Sequence, residues 1–312
     1  MIVTSRAPVR IDFAGGWTDV SIFARGAGGA VVNATINHYV EGHLEVLDTA
    51  DEADYSTART AAVSGREGIN VAYRSDLPSG SGLGTSSALN VVWLSLVKSQ
   101  IASDEDRVKI AELAYQLEEM LGILGGKQDQ YASALGGINF MSFVDEVKVD
   151  RLDVPQDMIT ALESRLVLCY TGKPRLSGNI HENVWGAFRR GTPETVNALY
   201  YLRNCAIRMR TVLLEGSVEE FADLLSQNWK HQKALDPSVT NEQIDGLFDT
   251  AFGAGAIGGK ACGAGGGGCL LFCTREGKSS SVADALTEAG ARVIPFRFDF
   301  TGLQVSLSSA NA

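Results

Sequence analysis

What this chain lacks narrows its function before any motif is read. Proline is scarce, 7 of 312 residues, which excludes a proline-rich linker or fibre. Histidine is scarcer still, at four. His38, His43, His181 and His231 form no HxxxH spacing, and Cys169, Cys205, Cys262, Cys269 and Cys273 form no CxxC pair. No zinc-type cluster is therefore readable. An odd set of scattered cysteines reads as buried, reduced thiols, and the expected location is the cytoplasm. Met1-Ile-Val-Thr-Ser-Arg6 runs straight into a strand pattern rather than a signal peptide. Apolar runs such as Val91–Val97 are far short of a membrane span. Positive charge is also in deficit: Lys and Arg total 27 against 37 Asp and Glu, a net charge of −10. That argues against nucleic-acid and anionic-membrane partners, which need basic patches. A Walker loop is missing too, since Gly125-Gly126-Lys127 is followed by Gln128 and Gly258-Gly259-Lys260 by Ala261.

What is present is an ordinary globular composition, 45% hydrophobic and 21% charged. A chain of this length can build one large or two smaller domains and needs no disulfide or metal to hold its core. Glycine is the exception, at 34 residues against an average of about 7%. Of these, 22 fall in four stretches: Gly15–Gly29, Gly80–Gly84, Gly122–Gly137 and Gly253–Gly268. Glycine allows positive φ and close approach of backbone to a ligand, so four clusters in one chain suggest a binding site built from backbone.

Up to about residue 150 the pattern is rich in strands. Val9–Phe13 and Tyr39–Val46 alternate, Val71–Tyr73 is a short strand, and Asp48–Arg66 reads as a polar loop or hairpin. Helices are expected over Ala88–Ile101, from Ser103 to about Leu121, and over Gln130–Leu135, followed by a strand Ile138–Phe143. Ala88–Ile101 is apolar on nearly all sides, which predicts a buried helix. The second half begins with strand Leu166–Tyr170, then predicts helices over Ser177–Arg189, Pro193–Leu214, Val218–Ala234 and Asn241–Phe252. Ser217-x-x-Glu220 and Thr240-x-x-Gln243 have the form of capping boxes. Strand Leu270–Cys273, helix Val282–Ala289 and strand Arg292–Phe298 complete the chain. The change of texture near Asp150–Gln156 places a domain boundary there, giving residues 1–153 and 154–312. Strands and helices do not alternate regularly, so the class is α+β.

Four segments carry chemistry. Pro78-Ser-Gly80-Ser-Gly82-Leu83-Gly84-Thr85-Ser86-Ser87 leads small residues into a helix whose first turn offers unpaired N–H groups and hydroxyls. That suits a triphosphate, with a hydroxyl left for Mg²⁺. A simple Ser/Thr cap would need only one hydroxyl. Glu118 and Asp129 flank a glycine turn that can fold both carboxylates into one cleft. Lys127, two residues from Asp129, could hold it ionised. Arg10 and Asp12 share a strand face ahead of Gly15-Gly16-Trp17-Thr18-Asp19, where polar groups beside an indole suit a sugar. Finally, GxGxxG occurs at Gly253–Gly258 and at Gly263–Gly268, but the second precedes a strand, the reverse of a dinucleotide-binding context.

Taken together, these segments resemble the GHMP family of small-molecule kinases over nearly the whole chain. The resemblance rests on Arg10–Asp19, Pro78–Ala88 and Lys260–Cys269 occurring in order. It implies a two-domain fold with the site in the cleft between domains. It implies ATP and Mg²⁺ on the loop of Pro78, Gly80, Gly82, Leu83, Gly84, Thr85, Ser86 and Ser87, with Ser86, Ser87 and Glu118 near the metal. It implies Asp129 as catalytic base supported by Arg10, and Trp17, Thr18, Asp19 and Gln128 on the acceptor. The glycine motif, with Gly265 and Gly266, would brace the phosphate loop and the acceptor. The first motif lacks the Gly-Glu-His of galactokinases and is closer to the sugar 1-kinases of the L-fucokinase and heptose 7-phosphate kinase branch. A phosphorylated acceptor needs cations, and Lys127, Lys173 and Arg175 are candidates. The expected activity is therefore phosphorylation of the anomeric hydroxyl of a sugar by a monomer or homodimer. The alternatives are a kinase of unphosphorylated fucose- or galactose-like sugars and a silent sensor on the same fold.

Overall fold

In a computed structural model, residues 1–46, 69–78, 80–173 and 177–308 are described. Asp48–Arg66 and Arg175, singled out above, lie outside them. The elements run β1 (Ile2–Ala14), α1 (Ser21–Ala27), β2 (Gly29–Val46), β3 (Ile69–Ser75), α2 (Thr85–Lys98), α3 (Asp104–Met120), α4 (Gln128–Leu135), β4 (Ile138–Phe143) and β5 (Val147–Arg151). They continue with α5 (Gln156–Arg165), β6 (Leu166–Tyr170), α6 (Ser177–Arg189), α7 (Pro193–Glu215), α8 (Val218–Lys233), α9 (Glu242–Ala254), β7 (Ala256–Ala261), β8 (Cys269–Thr274), α10 (Ser279–Glu288), β9 (Arg292–Val293) and β10 (Gln304–Ser308).

Two antiparallel sheets organise the chain. The first has the order β10-β1-β2-β4-β5, with β3 also paired to β2, and the second has the order β7-β8-β6-β9. The α+β class is correct. Strands of the first sheet precede residue 152 except β10, which follows the second sheet in sequence and pairs with β1 from Ile2↔Ser308 to Arg6↔Gln304. β1 is buried almost throughout, with Val9, Ile11 and Phe13 fully enclosed. It lies between β2 and β10, and α2 and α4 pack on it. β1 is longer than Val9–Phe13 because Ile2–Arg6, which alternates in burial, is hydrogen-bonded between β10 on one side and β2 on the other.

Several boundaries differ from expectation for local reasons. α2 buries one face through Ser87, Ala88, Val91, Val92, Ser95 and Leu96, while Leu89 and Val97 are exposed, so it is not enclosed on all sides. The capping box at Ser217 is present. Thr240 and Gln243 do not form one: Asn241 caps α9 through Ile244 N–H, Thr240 donates to Asp245, and Gln243 donates to the Thr171 carbonyl. β7 falls in the glycine-rich stretch, over which the sequence predicts no strand. A Cβ on Gly258 would stand 2.0 Å from the Ala222 carbonyl of α8, so the glycine is a packing requirement of a strand. The expected strand Arg292–Phe298 is only two residues long, plus an isolated bridge between Ile36 and Phe298. All five cysteines are buried, and none forms a disulfide. No described helix is long and apolar enough to cross a membrane.

Candidate active site

The phosphate-type loop enters α2 through Gly84, which sits at φ 73° and contributes no side chain to the cap. The first-turn N–H groups of α2 thus have no side-chain acceptor, and the simple-cap reading of Thr85, Ser86 and Ser87 falls away. An uncapped N-terminus is where an anion is favoured by both hydrogen bonding and the helix dipole. Thr85 is partly exposed and its hydroxyl lies 3.1 Å from that of Ser81, whereas Ser86 is exposed. Leu83 is buried beneath the loop, and its carbonyl accepts from the Arg10 N–H at 3.0 Å. Pro78 and Gly80 lie ahead of this turn, at its partly exposed edge. Behind the loop stands the second glycine motif. Cys269 N–H donates to the Ser81 carbonyl at 2.7 Å, and a Cβ on Gly82 would meet the Cys262 carbonyl at 2.6 Å. The bracing expected of this motif is thus made by Cys262, Gly268 and Cys269.

Beside this loop, Arg10 is buried and donates from Nε at 2.8 Å and from Nη2 at 2.7 Å to the same oxygen, Asp129 Oδ1. Its Nη1 donates to the Gly82 carbonyl at 2.8 Å. One guanidinium therefore ties the carboxylate to the loop. Burial opposes the Arg10 charge, but Asp129 and Asp12 outweigh it and hold its pKa above the usual value. The second oxygen, Asp129 Oδ2, accepts from no described residue and faces Gly84, where a Cβ would approach to 3.2 Å. Asp129 is thus held by one oxygen and open at the other. Lys127 does not reach it: its ammonium is held by both oxygens of Glu112, at 2.8 and 3.0 Å.

Two further carboxylates complete the cleft. Glu118 accepts at Oε1 from Ser87 (2.8 Å) and Asn90 (3.0 Å), and at Oε2 from Gln130 (2.7 Å). Burial raises its pKa, Ser87 counteracts this, and the charge of Asp129 adds to the rise. Asp19 accepts from the Gln128 N–H at 3.1 Å. Burial, together with Asp129, pushes its pKa up to about 7. Neither acid has a cationic partner within 4.0 Å among the described residues. Asp12 does: Lys260, fully buried, donates to Asp12 Oδ2 at 2.6 Å and to its carbonyl at 2.7 Å. That pair joins β1 of the first sheet to β7 of the second. Spacing could not reveal it, because the partners are 248 residues apart.

Trp17 has φ 82°, an outlier for a bulky residue. Its ring is buried and lies 4.5 Å from His181 and 5.8 Å from Trp185, both on α6. Arg10, Trp17, Asp19, Ser86, Ser87, Glu118, Gln128 and Asp129 line one recess, together with His181, Gly263 and Ala264, which the sequence reading did not assign. The recess encloses about 140 Å³. That is below the roughly 300–1,000 Å³ of a complete ligand pocket, so it has room for only part of a small molecule. Thr18 is not available to a ligand: its hydroxyl donates towards the Gly15 and Ala30 carbonyls and accepts from the Ala30 N–H. Gly265 and Gly266 pack on Val239 and Ile180 and do not line the recess. Lys173 is exposed away from it, and its carbonyl accepts from the Gly268 N–H.

Glu118 with the Ser86 and Ser87 hydroxyls forms an all-oxygen donor set that fits a hard divalent cation. No group of three or more His, Cys, Asp and Glu residues among the described ones could cage a metal.

The GHMP kinase N-terminal domain profile matches residues 45–137, and the GHMP kinase C-terminal profile matches residues 209–292. The chain is 30% identical to a D-glycero-alpha-D-manno-heptose 7-phosphate kinase of Campylobacter jejuni, over 97% of this chain and 98% of that protein. It is 28% identical to the L-fucokinase/L-fucose-1-P guanylyltransferase of Bacteroides fragilis, over 98% of this chain but only 39% of that longer protein. Among solved structures, a D-glycero-D-manno-heptose 1-phosphate kinase from Bacteroides thetaiotaomicron superposes with TM-score 0.77 at 29% identity, covering 99% of this chain and all of the other. With both domain profiles in order and a near-full-length relative at this identity, the chain belongs to the GHMP kinase family.

Proposed function

We propose that this kinase transfers the γ-phosphoryl group of ATP, in the presence of Mg²⁺, to the anomeric hydroxyl of a sugar, with a heptose 7-phosphate or similar higher-sugar phosphate as acceptor. The observation that carries the reading is Asp129, fixed through one oxygen by Arg10 and free at the other, in a recess shared with Asp19 and Trp17. The relatives named above act, by their names, on heptose phosphates and on L-fucose. The division of the chain at residues 153 and 154 accompanies this reading, with substrates meeting between the halves.

In this reading the Asp129 Oδ2 accepts the proton of the attacking hydroxyl while Arg10 prevents the carboxylate from turning away. Asp19 accepts a hydrogen bond from a neighbouring hydroxyl, and Trp17 covers an apolar face of the sugar ring. The loop from Pro78 to Gly84 and the first turn of α2 direct N–H groups at the triphosphate, where charge develops during transfer. Glu118, Ser86 and Ser87 would hold Mg²⁺, which neutralises phosphate charge when bound. A protein of net charge −10 then binds its anionic substrate with backbone amides rather than a field of lysines.

The test is ADP release over a panel of heptose 7-phosphates, eight-carbon sugar phosphates, L-fucose and galactose. One phosphorylated higher sugar is expected to dominate. Asp129→Asn should lose about 10²–10⁴ in turnover, the range of general-base catalysis, while still binding nucleotide. Wild-type turnover in that variant would remove Asp129 from the mechanism. Turnover of mevalonate but of no sugar would overturn the substrate class.

A further inference from the structure

We infer that Arg25 and Arg189 form a phosphate subsite for the distal end of a phosphorylated acceptor, an inference that rests on the sugar-kinase reading above. A groove of about 530 Å³ adjoins the catalytic recess and shares Val20, Ile123, Leu124 and Gly125 with it. Arg25 and Arg189 are the cations that line this groove. Neither makes an ion pair or a hydrogen bond to any described residue. The acidic side chain in the groove, Glu119, accepts the Tyr115 hydroxyl at 2.8 Å.

The placement follows from one face of α6. His181, Trp185 and Arg189 are spaced by four residues and so form a single stripe along the helix. His181 lines the recess, Trp185 packs against Trp17, and Arg189 lines the groove. At 1.5 Å per residue, the stripe covers about 12 Å from recess to groove. Phe188, next to Arg189, packs edge-on against Phe23 of α1 with ring centroids 5.8 Å apart. That contact sets the end of α6 beside the helix that carries Arg25. An acceptor with its reacting hydroxyl at Asp129 would thus extend over Trp17 towards two guanidinium groups that no described residue pairs. Guanidinium pairs bind phosphate through several directed N–H donors, which a single lysine cannot match. Lys127 is committed to Glu112 and Lys173 lies elsewhere, so this pair takes the role earlier considered for those lysines.

Two measurements test the assignment. In the first, KM and kcat are compared for a heptose 7-phosphate and the same heptose without its phosphate, using wild type, Arg25→Gln/Arg189→Gln and Arg25→Lys/Arg189→Lys. The glutamine pair should raise KM for the phosphorylated sugar by tenfold or more, leave kcat near wild type and leave the unphosphorylated sugar unchanged. The lysine pair should recover part of the loss. An unchanged KM, or an equal loss on both sugars, would overturn the subsite. The second measurement does not depend on turnover. Protein saturated with a non-hydrolysable MgATP analogue is titrated with inorganic phosphate while its melting temperature is followed. Wild type should be stabilised and the glutamine pair should not. No phosphate response in wild type would sink the subsite. A phosphate response in a protein that phosphorylates no sugar would instead refute the sugar-kinase reading and leave an anion site.

Discussion

Replacing Lys260 with methionine should destabilise this protein far more than its volume change suggests. Methionine has nearly the length of the lysine stem, so little cavity is created. What is lost is charge compensation. Lys260 is 0% exposed and the Asp12 side chain 3%, and their contact is 2.6 Å. Without the ammonium, the Asp12 carboxylate is left buried, and its Oδ1 already has no hydrogen-bond partner. Breaking one side of a buried pair costs about 3–5 kcal/mol, a large share of a typical total of about 5–15 kcal/mol. The expected readout is a melting temperature lower by on the order of 10 °C, with a matching drop in denaturation midpoint. Asp12→Asn/Lys260→Met should be more stable than Lys260→Met alone, because the amide removes the orphaned charge. Because Arg10 is two residues from Asp12 on β1, turnover should fall with the single variant as well. A loss below about 1 kcal/mol in Lys260→Met, with no gain in the double variant, would refute the claim that this pair clamps the two sheets together.

Three other outcomes are expected. The Asp19 carboxyl has its pKa raised from 3.8 to about 7 in the folded state, so the folded protein binds the extra proton between roughly pH 4 and 7. Stability should fall as pH rises through that window, and Asp19→Asn should flatten this slope. Denaturation curves of the two proteins that run parallel from pH 5 to 8 would contradict it. Gly126→Ala puts a Cβ 1.8 Å from Asp19 Oδ2, so Asp19 must move; KM for the sugar should rise while KM for ATP stays, and unchanged sugar kinetics would show that Asp19 is not used. Ser217→Ala removes the capping box of α8 and should cost about 1 kcal/mol in urea denaturation without touching catalysis.

The parts of this site that are local in sequence were readable there. The Pro78–Ser87 loop, the Glu118 and Asp129 pair and Arg10 each sit in short segments whose composition points to their chemistry. Arg10 also closes on Asp129 as expected. Residues that depend on distant partners were not readable. Thr18 sits beside Asp19 in the same turn, yet its hydroxyl is committed to the backbone of Ala30 in β2. Lys127 is two residues from Asp129 in sequence, but α3 supplies Glu112 to take its charge. Lys260 lies inside a recognisable glycine motif, and only the packing of the second sheet against β1 gives it a partner. β7 was hidden because Gly258 answers to the Ala222 backbone and Gly259 to Phe272 and Leu271 of β8, rather than to a turn. His181 carries no motif at all; α6 brings it over Trp17.

The return of β10 to β1 has a consequence for how the molecule is assembled during synthesis. Pairs such as Ile2↔Ser308 join segments about as far apart as the sequence allows. Until residues 304–308 have left the ribosome, the outer edge of β1 presents unpaired N–H and C=O groups, a template for illicit strand pairing. That edge belongs to the strand that holds Arg10 and Asp12. The strand that carries Arg10 is therefore completed late, and such distant pairings close slowly. Excising the first half as a separate fragment would leave the same edge bare, so the fragment should aggregate where the full chain does not.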